Sequence, residues 1–590
     1  MYILGISAYY HDSAACLLKD GEIICAAQEE RFTRLKHDSS FPVKAIEFCL
    51  SSKNLDIDKI DYLIFYDKPL LKFERLLETI LAFAPRGLRF FLKAIPAQVR
   101  NKIWIREKVK RELGYKGEIL FSEHHLSHAA SAFFPSPFER AAILTIDGVG
   151  EWATASYGIG AGSKIKILKE LYFPHSLGLL YSAFTYYLGF RVNSGEYKMM
   201  GLAPYGKPKY VKEILNNLVD LKEDGSFRMN MKYFNYGAGL TMVNNKFCQL
   251  FNGPVRKPED GLTARHTDIA CSIQQVAEEI ILRMVKQVKK ETGEKKLCLA
   301  GGVALNCAAN GKILQSKIFD KIWIQPAAGD AGGALGAAYI AYCHYLDGHL
   351  LKKDNKDLQK GSYLGPEYDN NCIKEFLDKQ KIVYSYFKEE DLLNKAADYI
   401  MEQKVIGWFQ GKMEFGPRAL GNRSIIADAR SLGMQKKLNL KIKFRESFRP
   451  FAPSVLAEKA NEWFDIINES PYMLLITKVK KNKLRILTEE ESSLSGLDKL
   501  EVVRSEIPAV THVDYTARPQ TVNKSDNYLY YSLIEKFYKK TGCPVIINTS
   551  FNVRGEPIVA TPQDAFKCFI KTNMDVLVLG NFIIKKSDVK

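Results

Sequence analysis

The sequence has no pair of cysteines at the Cys-x-x-Cys spacing of zinc and dithiol sites, although it contains 11 cysteines. The cysteines are scattered along the chain, and several, such as Cys16 and Cys298, lie in strongly apolar strings. A dispersed, odd-numbered and core-like set is typical of reduced thiols rather than of a disulfide framework. We therefore predict a cytoplasmic protein without structural disulfides.

Long apolar runs are absent as well. The most apolar stretch, residues 73–99, is interrupted by charged residues and prolines such as Arg75, Pro85 and Lys93, which favours a helical hairpin over a membrane span. The first residues, MYILGISAYY, lack a basic segment and are predicted to form a strand rather than a signal peptide. We expect no membrane partner.

The sequence also lacks a dense stripe of lysine and arginine interleaved with aromatic residues, which would indicate a nucleic-acid-binding surface. The net charge of +17 comes from 84 basic and 67 acidic residues. This modest excess suits anionic ligands such as ATP and phosphates. The basic run at 478–483 is followed by three glutamates and is interpreted as a solvated loop. We expect no nucleic-acid partner.

Two segments of similar pattern occur roughly 140 residues apart, and they are the first positive sign of domain organisation. Each segment has a strand, a tight turn and a hairpin: YILGISA with AACLLK and EIICAA, then AAILTID with ATASYGI and KIKILKEL. Each turn brings backbone N–H groups and an aspartate to a place where a phosphate or a metal could bind. The repetition predicts two related lobes, with two unrelated β-meanders as the alternative.

A break in composition divides the chain. The charged segment 349–360 lacks apolar periodicity, so we predict domains at 1–355 and 362–590. Within the first domain, residues 41–113 are predicted to be helical and residues 265–295 to form one long helix. Within the second, strands are predicted at IVYSYF, VIGWFQG, PVIINTSF and VLVLGNFII, and helices at LLNKAADYIMEQ and DAFKCFIK.

Two histidines and two aspartates form a candidate metal site. His124 and His128 lie four residues apart in SEHHLSHAASAF, so a helix there places both imidazoles on one face. Asp147 and Asp330 follow the ends of predicted strands. Two imidazoles and two carboxylates suit Fe(II), Mn(II) or Zn(II), and the spacing does not choose among these metals. A structural pair of histidines is the alternative.

Other ligand candidates in the first domain lie in loops rich in glycine or charge. His11 and Asp12 follow the first strand, and His11 is the candidate general base because an imidazole titrates near neutrality. Gly301 and Gly302 form a strand-to-helix turn that a nucleotide could approach closely. The remaining candidates are Lys36, for which an exposed helix face is the alternative, Asn306, for which an ordinary glycine-rich α/β turn is the alternative, and Gly148, Gly150 and Glu196.

Basic and amide side chains are embedded in apolar strings of the second domain, such as FRPFAPSV and VIINTSFNVRG. Buried charge requires a partner, which here would be an anionic ligand. Lys443 and Arg445 stand two residues apart, so in an extended segment they would point to the same side and clamp a phosphate-containing ligand. The other candidates are Arg418, Arg423, Arg449, Arg518, Asn548, Ser550 and Asn552.

A series of motifs follows in fixed order along the chain. It comprises GISAYYHDSAACLLKDGEIICAAQEERFTRLKHDSSFP, EHHLSHAASAF, DGVGEW, SGEYKMMGLAPYG, AGGVALNC, GDAGGALGAA, GPRALGNRS, FRESFRPFAPSV, ARPQTV and NTSFNVRGEPIV. In this order the motifs resemble the carbamoyltransferases of the nodulation protein U type, which include enzymes that O-carbamoylate antibiotics such as tobramycin. The resemblance covers nearly the whole chain.

The resemblance implies an α/β fold with a two-lobed actin/Hsp70-like N-terminal domain and an α+β, YrdC-like C-terminal domain. The C-terminal domain would convert carbamoyl phosphate, as carbamate, and ATP to carbamoyl-adenylate and pyrophosphate. A hydroxyl of the acceptor would then attack the carbonyl of this intermediate in the N-terminal domain. The resemblance gives catalytic roles to Lys443, Arg518 and Ser550, with Lys443-x-Arg445 and Ser550-x-Asn552 as signatures of the C-terminal domain.

The resemblance also implies the ligands. The family's metal is iron, expected as Fe(II) at His124, His128, Asp147 and Asp330, and ATP would bring Mg(II). The implied partners are carbamoyl phosphate and a small hydroxylated acceptor, a sugar or another natural product, in natural product biosynthesis. A homodimer is an open expectation. The alternatives are a threonylcarbamoyl-type modification of tRNA and an actin-fold metal-dependent ATPase or sugar kinase, which would leave the C-terminal basic residues unexplained.

Overall fold

The computed structural model describes residues 1–84, 87, 92, 104–237, 239–350, 356–466 and 469–589. The chain divides into two compact units. Unit 1 comprises Met1–Glu29 and His37–Gln359, and unit 2 comprises Glu30–Lys36 and Lys360–Lys590. Within the described residues, no helix combines the length and the apolar character that crossing a membrane requires. Most of the second half of the hairpin predicted at 73–99 lies outside the described residues.

Unit 1 contains a first five-stranded sheet in the order β3–β2–β1–β4–β5. Its strands are β1 Tyr2–Ser7, β2 Ala14–Lys19, β3 Glu22–Gln28, β4 Tyr62–Phe65 and β5 Glu118–Phe121. The first three strands are antiparallel neighbours, whereas β1, β4 and β5 are parallel. The apolar side chains of β1 and β2 are almost entirely buried, so this sheet forms part of the core.

A second five-stranded sheet of unit 1 has the order β12–β11–β6–β7–β8. Its strands are β6 Arg140–Ile146, β7 Ala153–Ala161, β8 Lys164–Tyr172, β11 Lys296–Ala300 and β12 Lys321–Ile324. Again three strands are antiparallel neighbours and β6, β11 and β12 are parallel. A small hairpin, β9 Val219–Leu221 with β10 Phe227–Met229, stands apart from both sheets. The predicted repeat is thus confirmed, because both segments begin a sheet of the same order and strand direction.

The helices of unit 1 connect and cover these sheets. They are α1 Val43–Ser51, α2 Pro69–Ala82, α3 Ile105–Leu113, α4 His124–Phe133, α5 Leu177–Tyr187, α6 Glu196–Leu202, α7 Val211–Asn217, α8 Asn245–Leu250, α9 Ala264–Thr292, α10 Cys307–Ser316 and α11 Asp330–Ile340. The long helix predicted at 265–295 is confirmed as α9. The prediction that 41–113 is helical is wrong at β4, because a four-residue apolar run does not distinguish a buried strand from a helix segment by its periodicity.

Helices α4 and α11 approach each other closely at Gly336. A Cβ atom built on Gly336 would lie 1.8 Å from the backbone oxygen of Ser127 in α4. Glycine is therefore required for the two backbones to pack at this distance. The contact matters for the site, because α4 carries His124 and His128 and α11 begins with Asp330.

We expect Gly336→Ala to lower the free energy of unfolding by about 1–3 kcal/mol, because the added methyl group overpacks the crossing. It should also weaken metal binding by separating the two helices. Urea unfolding and metal titration check both effects. Gly329→Ala is the control, since a Cβ atom at Gly329 meets no atom within 4 Å. Equal effects of the two substitutions would contradict the argument.

Unit 2 is built on an eight-stranded sheet in the order β13–β22–β21–β14–β15–β20–β16–β19. Its strands are β13 Ser385–Tyr386, β14 Ile406–Phe409, β15 Arg423–Asp428, β16 Ala452–Leu456, β19 Gln520–Val522, β20 Val545–Ser550, β21 Val576–Leu579 and β22 Phe582–Lys585, and a separate pair is formed by β17 Thr477–Lys478 and β18 Thr516–Ala517. The strands predicted in VIGWFQG, PVIINTSF and VLVLGNFII are confirmed. In IVYSYF only β13 is a strand.

The helices of unit 2 are a short helix at Glu30–Thr33 and, later in the chain, α12 Asn370–Lys379, α13 Glu389–Met401, α14 Met434–Lys437, α15 Ala460–Trp463, α16 Glu489–Ser493, α17 Tyr528–Thr541 and α18 Pro562–Ile570. Helices α13 and α18 confirm the two predicted from LLNKAADYIMEQ and DAFKCFIK. Residues 480–500 form short helical turns, including α16, which is capped by Thr488. A core that includes Trp408, Phe537 and Phe569 lies within this unit.

Residues 30–36 belong to unit 2 although they lie near the start of the chain. The guanidinium group of Arg31 donates to the carbonyl of Gly416 at 2.7 Å. The guanidinium group of Arg34 donates to the carbonyls of Ile558 and Pro557 at 2.6 and 2.9 Å. Two arginines that bind backbone oxygens thus explain why this segment belongs with unit 2.

Candidate metal centre and basic site

Four predicted metal ligands come together in unit 1. His124 and His128 lie one turn apart on α4, Asp147 follows β6, and Asp330 is the first residue of α11. All four are buried, and one potential ligand atom of each lies within 4.8 Å of the others. The helical spacing predicted from the sequence therefore places both imidazoles on one face, next to two carboxylates.

The separations between these atoms fit a single divalent cation. The Nε2 atom of His124 lies 3.1 Å from Nε2 of His128 and 3.1 Å from Oδ2 of Asp147. Nε2 of His128 lies 3.6 Å from Oδ2 of Asp147, and both imidazoles lie 3.7 Å from Oδ1 of Asp330. A tetrahedral metal with ligand distances of about 2.0–2.2 Å has ligands about 3.3–3.6 Å apart.

The charges of the cluster also favour a cation. Burial by itself would lower the pKa of His128, but the adjacent carboxylates of Asp147 and Asp330 raise it to about 9. Burial opposes ionisation of Asp147 too, and the two imidazoles nevertheless hold its pKa well below the ordinary value. Oδ1 of Asp330 has no hydrogen-bond partner within the described part of the chain, although it is buried. A buried oxygen without a donor is suited to bind a metal ion.

Neighbouring groups hold the aspartates in place. The backbone N–H of Gly302 donates to Oδ1 of Asp147 at 3.0 Å, which leaves Oδ2 to face the histidines. The hydroxyl of Tyr66 donates to Oδ2 of Asp330 at 3.3 Å. The predicted nucleotide turn at Gly301 and Gly302 therefore also supports the metal cluster. Tyr66 was not predicted, because it follows β4 in the region assigned to helix.

His11 and Asp12 lie in the loop between β1 and β2. Nδ1 of His11 lies 3.0 Å from one carboxylate oxygen of Asp12, and Nδ1 of His37 lies 2.9 Å from the other. Burial would lower the pKa of His11, but Asp330 and Asp12 raise it to about 10. A protonated imidazole is not a general base. A cation bound beside Asp330 would oppose this rise, and the role of His11 as a base remains a prediction.

Two other candidates of unit 1 bond to their own surroundings. Glu196 accepts hydrogen bonds from the hydroxyl of Ser182 at 2.8 Å and from the N–H of Asn193 at 3.0 Å. Asn306 caps α10 by accepting from the N–H of Ala309 at 3.1 Å. These bonds give both residues a structural role, and their contacts with a nucleotide remain a prediction. Gly148 and Gly150 lie in the loop that follows Asp147.

The second candidate site centres on Lys443 in unit 2. Its Nζ atom donates to the carbonyl of Ser550 at 2.6 Å, to the carbonyl of Asn552 at 2.8 Å and to Oδ1 of Asn552 at 2.7 Å. The hydroxyl of Ser550 donates to the same Oδ1 at 2.7 Å. Lys443, Ser550 and Asn552 were predicted from two motifs about a hundred residues apart, and the fold brings them together.

Basic groups surround Lys443. Burial, together with the positive charges of Arg445, Arg449 and Lys36, holds the pKa of the Lys443 ammonium well below its ordinary value. An anion bound among these groups would relieve the repulsion and favour the charged lysine. The cluster therefore has the electrostatics of a site for a phosphate-containing ligand.

The predicted geometry of Lys443 and Arg445 is wrong, because the segment is not extended. Lys443 ends a helical turn, and the guanidinium group of Arg445 turns back to donate to Oδ1 of Asn439 at 2.7 Å. Arg449 lies 3.9 Å from Glu446, and Arg518 lies 3.5 Å from the carbonyl of Met473. The two-residue spacing of Lys443 and Arg445 did not predict this geometry, because the direction of a side chain depends on a backbone conformation that the motif does not specify.

Arg423 and Asn548 lie in the interior of unit 2. Arg423 is fully buried, with its guanidinium group stacked 3.7 Å over the ring of Phe409 and bonded to the carbonyls of Gln410 and Pro366. The amide of Asn548 donates to Oε1 of Gln520 at 2.9 Å. These contacts fit a structural role for both residues. The Nε atom of Arg418 is buried as well.

Arg34 supports the loop that follows Ser550 and Asn552. Its two bonds to Pro557 and Ile558 hold this loop, in which the side chain of Asn552 also donates to the carbonyl of Glu556 at 2.8 Å. No local pattern in the sequence links Arg34 to this loop, which lies more than 500 residues away.

We expect Arg34→Ala to speed hydrogen–deuterium exchange in residues 550–560 and to lower the stability of unit 2 by about 1–3 kcal/mol. The physical reason is that two backbone carbonyls lose a charged donor. Leu35→Ala is the control, because Leu35 is in the same segment and 64% exposed. Unchanged hydrogen–deuterium exchange in the Arg34 variant would show that the loop is ordered without the hydrogen bonds from Arg34.

Family models match both halves of the chain. The model described as Carbamoyltransferase N-terminus matches residues 2–339, and the model described as Carbamoyltransferase C-terminus matches residues 397–586. The chain belongs to the carbamoyltransferase family. It is therefore a transferase enzyme, as the motif order predicted.

Two relatives align with nearly the whole chain. An uncharacterized protein of Synechocystis sp. is 56% identical, over 99% of this chain and 97% of its own length. Nodulation protein NolNO of Sinorhizobium fredii is 37% identical, over 98% of this chain and 80% of its own length. Among solved structures, component A of (R)-2-hydroxyglutaryl-CoA dehydratase from Acidaminococcus fermentans aligns with 59% of this chain and 99% of its own, at 16% identity and a TM-score of 0.32.

Proposed function

We propose that this carbamoyltransferase is an ATP-dependent O-carbamoyltransferase with two chemical steps, one in each unit. In unit 2, water first hydrolyses carbamoyl phosphate to carbamate and inorganic phosphate. The carbamate oxygen then attacks the α-phosphate of ATP, which gives carbamoyl-adenylate and releases pyrophosphate. In unit 1, a hydroxyl of a small acceptor attacks the carbonyl of this intermediate, and AMP leaves. Adenylation is needed because carbamate is a poor electrophile that lacks a good leaving group.

The observation that carries the first step is the basic cluster around Lys443. Burial and the charges of Arg445, Arg449 and Lys36 disfavour its ammonium form, and the negative charge of an anionic ligand bound there would compensate these charges. The triphosphate of ATP, with Mg(II), supplies that charge. Ser550 and Asn552 hold the Lys443 side chain, and its positive charge would stabilise the charge on the phosphates during adenylation. The predicted YrdC-like character of unit 2 is part of this proposal.

The observation that supports the second step is the four-ligand cluster. The two imidazoles and two carboxylates would hold one divalent cation, proposed to be Fe(II), which when bound supplies a positive charge for the adenylate phosphate. His11, whose Nδ1 atom lies 3.0 Å from Asp12, would accept the proton of the acceptor hydroxyl. The predicted actin/Hsp70-like lobes are the proposed scaffold of this step. The acceptor is proposed to be a sugar or another hydroxylated natural product.

Isotope exchange tests the two-step scheme. The enzyme should exchange labelled pyrophosphate into ATP only when carbamoyl phosphate is present, and no acceptor should be needed. With an acceptor, AMP and carbamoylated product should form in equal amounts. Carbamoyl transfer without ATP, or release of ADP instead of AMP, would overturn the proposal.

A further inference from the structure

Two helices next to the metal cluster begin without a cap from their own flanking residues. Helix α4 starts at His124, and the preceding Glu123 makes no side-chain capping bond within the described part of the chain. The same is true of Lys68, which precedes α2. Because the first N–H groups of a helix have no partner inside it, a group from elsewhere has to satisfy them.

Glu151 supplies that group for both helices. Its two carboxylate oxygens each lie 3.1 Å from the backbone nitrogen of His124, and one of them accepts from the N–H of Lys68 at 2.8 Å. Glu151 is only 6% exposed. A carboxylate at two helix N-termini is favoured by their hydrogen-bond donors and by the positive ends of the helix dipoles.

Glu151 belongs to the loop that begins with the metal ligand Asp147. The loop is closed by hydrogen bonds from the N–H of Asp147 to the carbonyl of Thr154 and from the N–H of Gly150 to the carbonyl of Ala153, both 2.9 Å. The carboxylate of Glu151 therefore connects the loop that begins with Asp147 to the N-terminus of α4, which carries His124 and His128.

Close packing reinforces this connection at Gly150. A Cβ atom on Gly150 would lie 3.0 Å from atoms of the His124 side chain, so the loop packs directly against that histidine. The guanidinium group of Arg75, on α2, donates to the carbonyl of Gly150 at 2.8 Å. The loop is thus fixed from α2 and α4 at once, and Glu151 makes the bonds to both helix ends.

We propose that Glu151 is a positioning residue of the metal centre, which holds His124 at the distance from Asp147 that a shared cation requires. It does not bind the metal itself, because its carboxylate is occupied by the N–H groups of His124 and Lys68. The inference rests on the proposed function only in taking the four-ligand cluster as the metal site.

The test measures metal binding directly, with Co(II) as the probe. Full-length enzyme, stripped of metal, is titrated with Co(II) against a chromophoric chelator, and the visible absorption bands report the coordination geometry. We expect Glu151→Ala to weaken Co(II) binding by about 10–100-fold, the usual cost of removing a group that orients a metal ligand, and to alter the bands. Glu151→Gln, which keeps one acceptor oxygen, should give an intermediate loss.

Glu123→Gln is the matched control. Glu123 is adjacent to His124 and also carries a carboxylate, but its side chain is 52% exposed and pairs with the ammonium group of Lys68. Its replacement should change Co(II) affinity by no more than about twofold, because exposed ion pairs contribute little. An equal loss in both variants would mean that general negative charge, and not positioning by Glu151, governs affinity.

Two results would overturn the proposal: wild-type Co(II) affinity and spectrum in Glu151→Ala, or a lower unfolding temperature with unchanged affinity. If Glu151→Ala does not fold, Glu151→Gln becomes the test variant, and wild-type Co(II) binding by that variant refutes the proposal. Exchange of pyrophosphate into ATP should persist in both variants. Absence of this exchange in the wild-type enzyme would refute the proposed function and leave the Co(II) result on Glu151 intact.

Discussion

Replacing His128 by asparagine should reduce carbamoyl transfer to the uncatalysed background and leave the enzyme without its metal. The substitution removes one imidazole from a buried set in which His128 contacts His124, Asp147 and Asp330. The carboxylates then lose a neutralising partner as well as a ligand. Exchange of pyrophosphate into ATP should continue near the wild-type rate, because Lys443 and its neighbours belong to unit 2.

Metal content per chain and transfer from added carbamoyl-adenylate measure this prediction. His125→Gln is the matched control on the same helix. His125 bonds to the hydroxyl of Thr145 at 2.7 Å, and burial and the neighbouring histidines lower its pKa to about 3. The control should keep its metal. A full complement of metal in His128→Asn would show that the cluster is not the metal site.

Replacing Lys443 by methionine should lower carbamate-dependent exchange of pyrophosphate into ATP by about 10²–10³-fold, the usual effect of removing one stabilising donor from a reaction site. Methionine keeps most of the volume of the side chain, so the core of unit 2 should tolerate it. The positive charge and the bonds to Ser550 and Asn552 are lost.

The variant should still transfer carbamoyl from added carbamoyl-adenylate, since the four-ligand cluster is unchanged. Lys441→Met is the control, because Lys441 lies two residues away and is exposed. Wild-type exchange in Lys443→Met would place adenylation elsewhere. Loss of exchange in both variants would indicate a nonspecific effect of net charge.

The candidate sites were predictable where the chemistry is encoded in a regular element. A spacing of four residues in a helix determines which side chains share a face, so His124 and His128 could be paired before the fold was known. The repeat of strand, turn and hairpin likewise predicted two equivalent sheets, because alternating apolar patterns specify strands over short distances. Arg445 could not be placed in this way, because its motif follows the end of a helical segment and lies outside any regular element.

The sequence by itself determined the family and the duplicated sheets, and it predicted a set of metal ligands, because all of these depend on residue type and local spacing. Only the tertiary structure decided that Arg34 supports the loop after Asn552, that Arg423 is buried against Phe409, and that Glu151 caps the helix of His124. Arg34 and Ile558 are 524 residues apart and Glu151 and His124 are 27 apart, whereas Arg423 and Phe409 are paired on the adjacent strands β15 and β14. Their partners are mostly backbone N–H and C=O groups, which every residue carries, so no side-chain pattern records them.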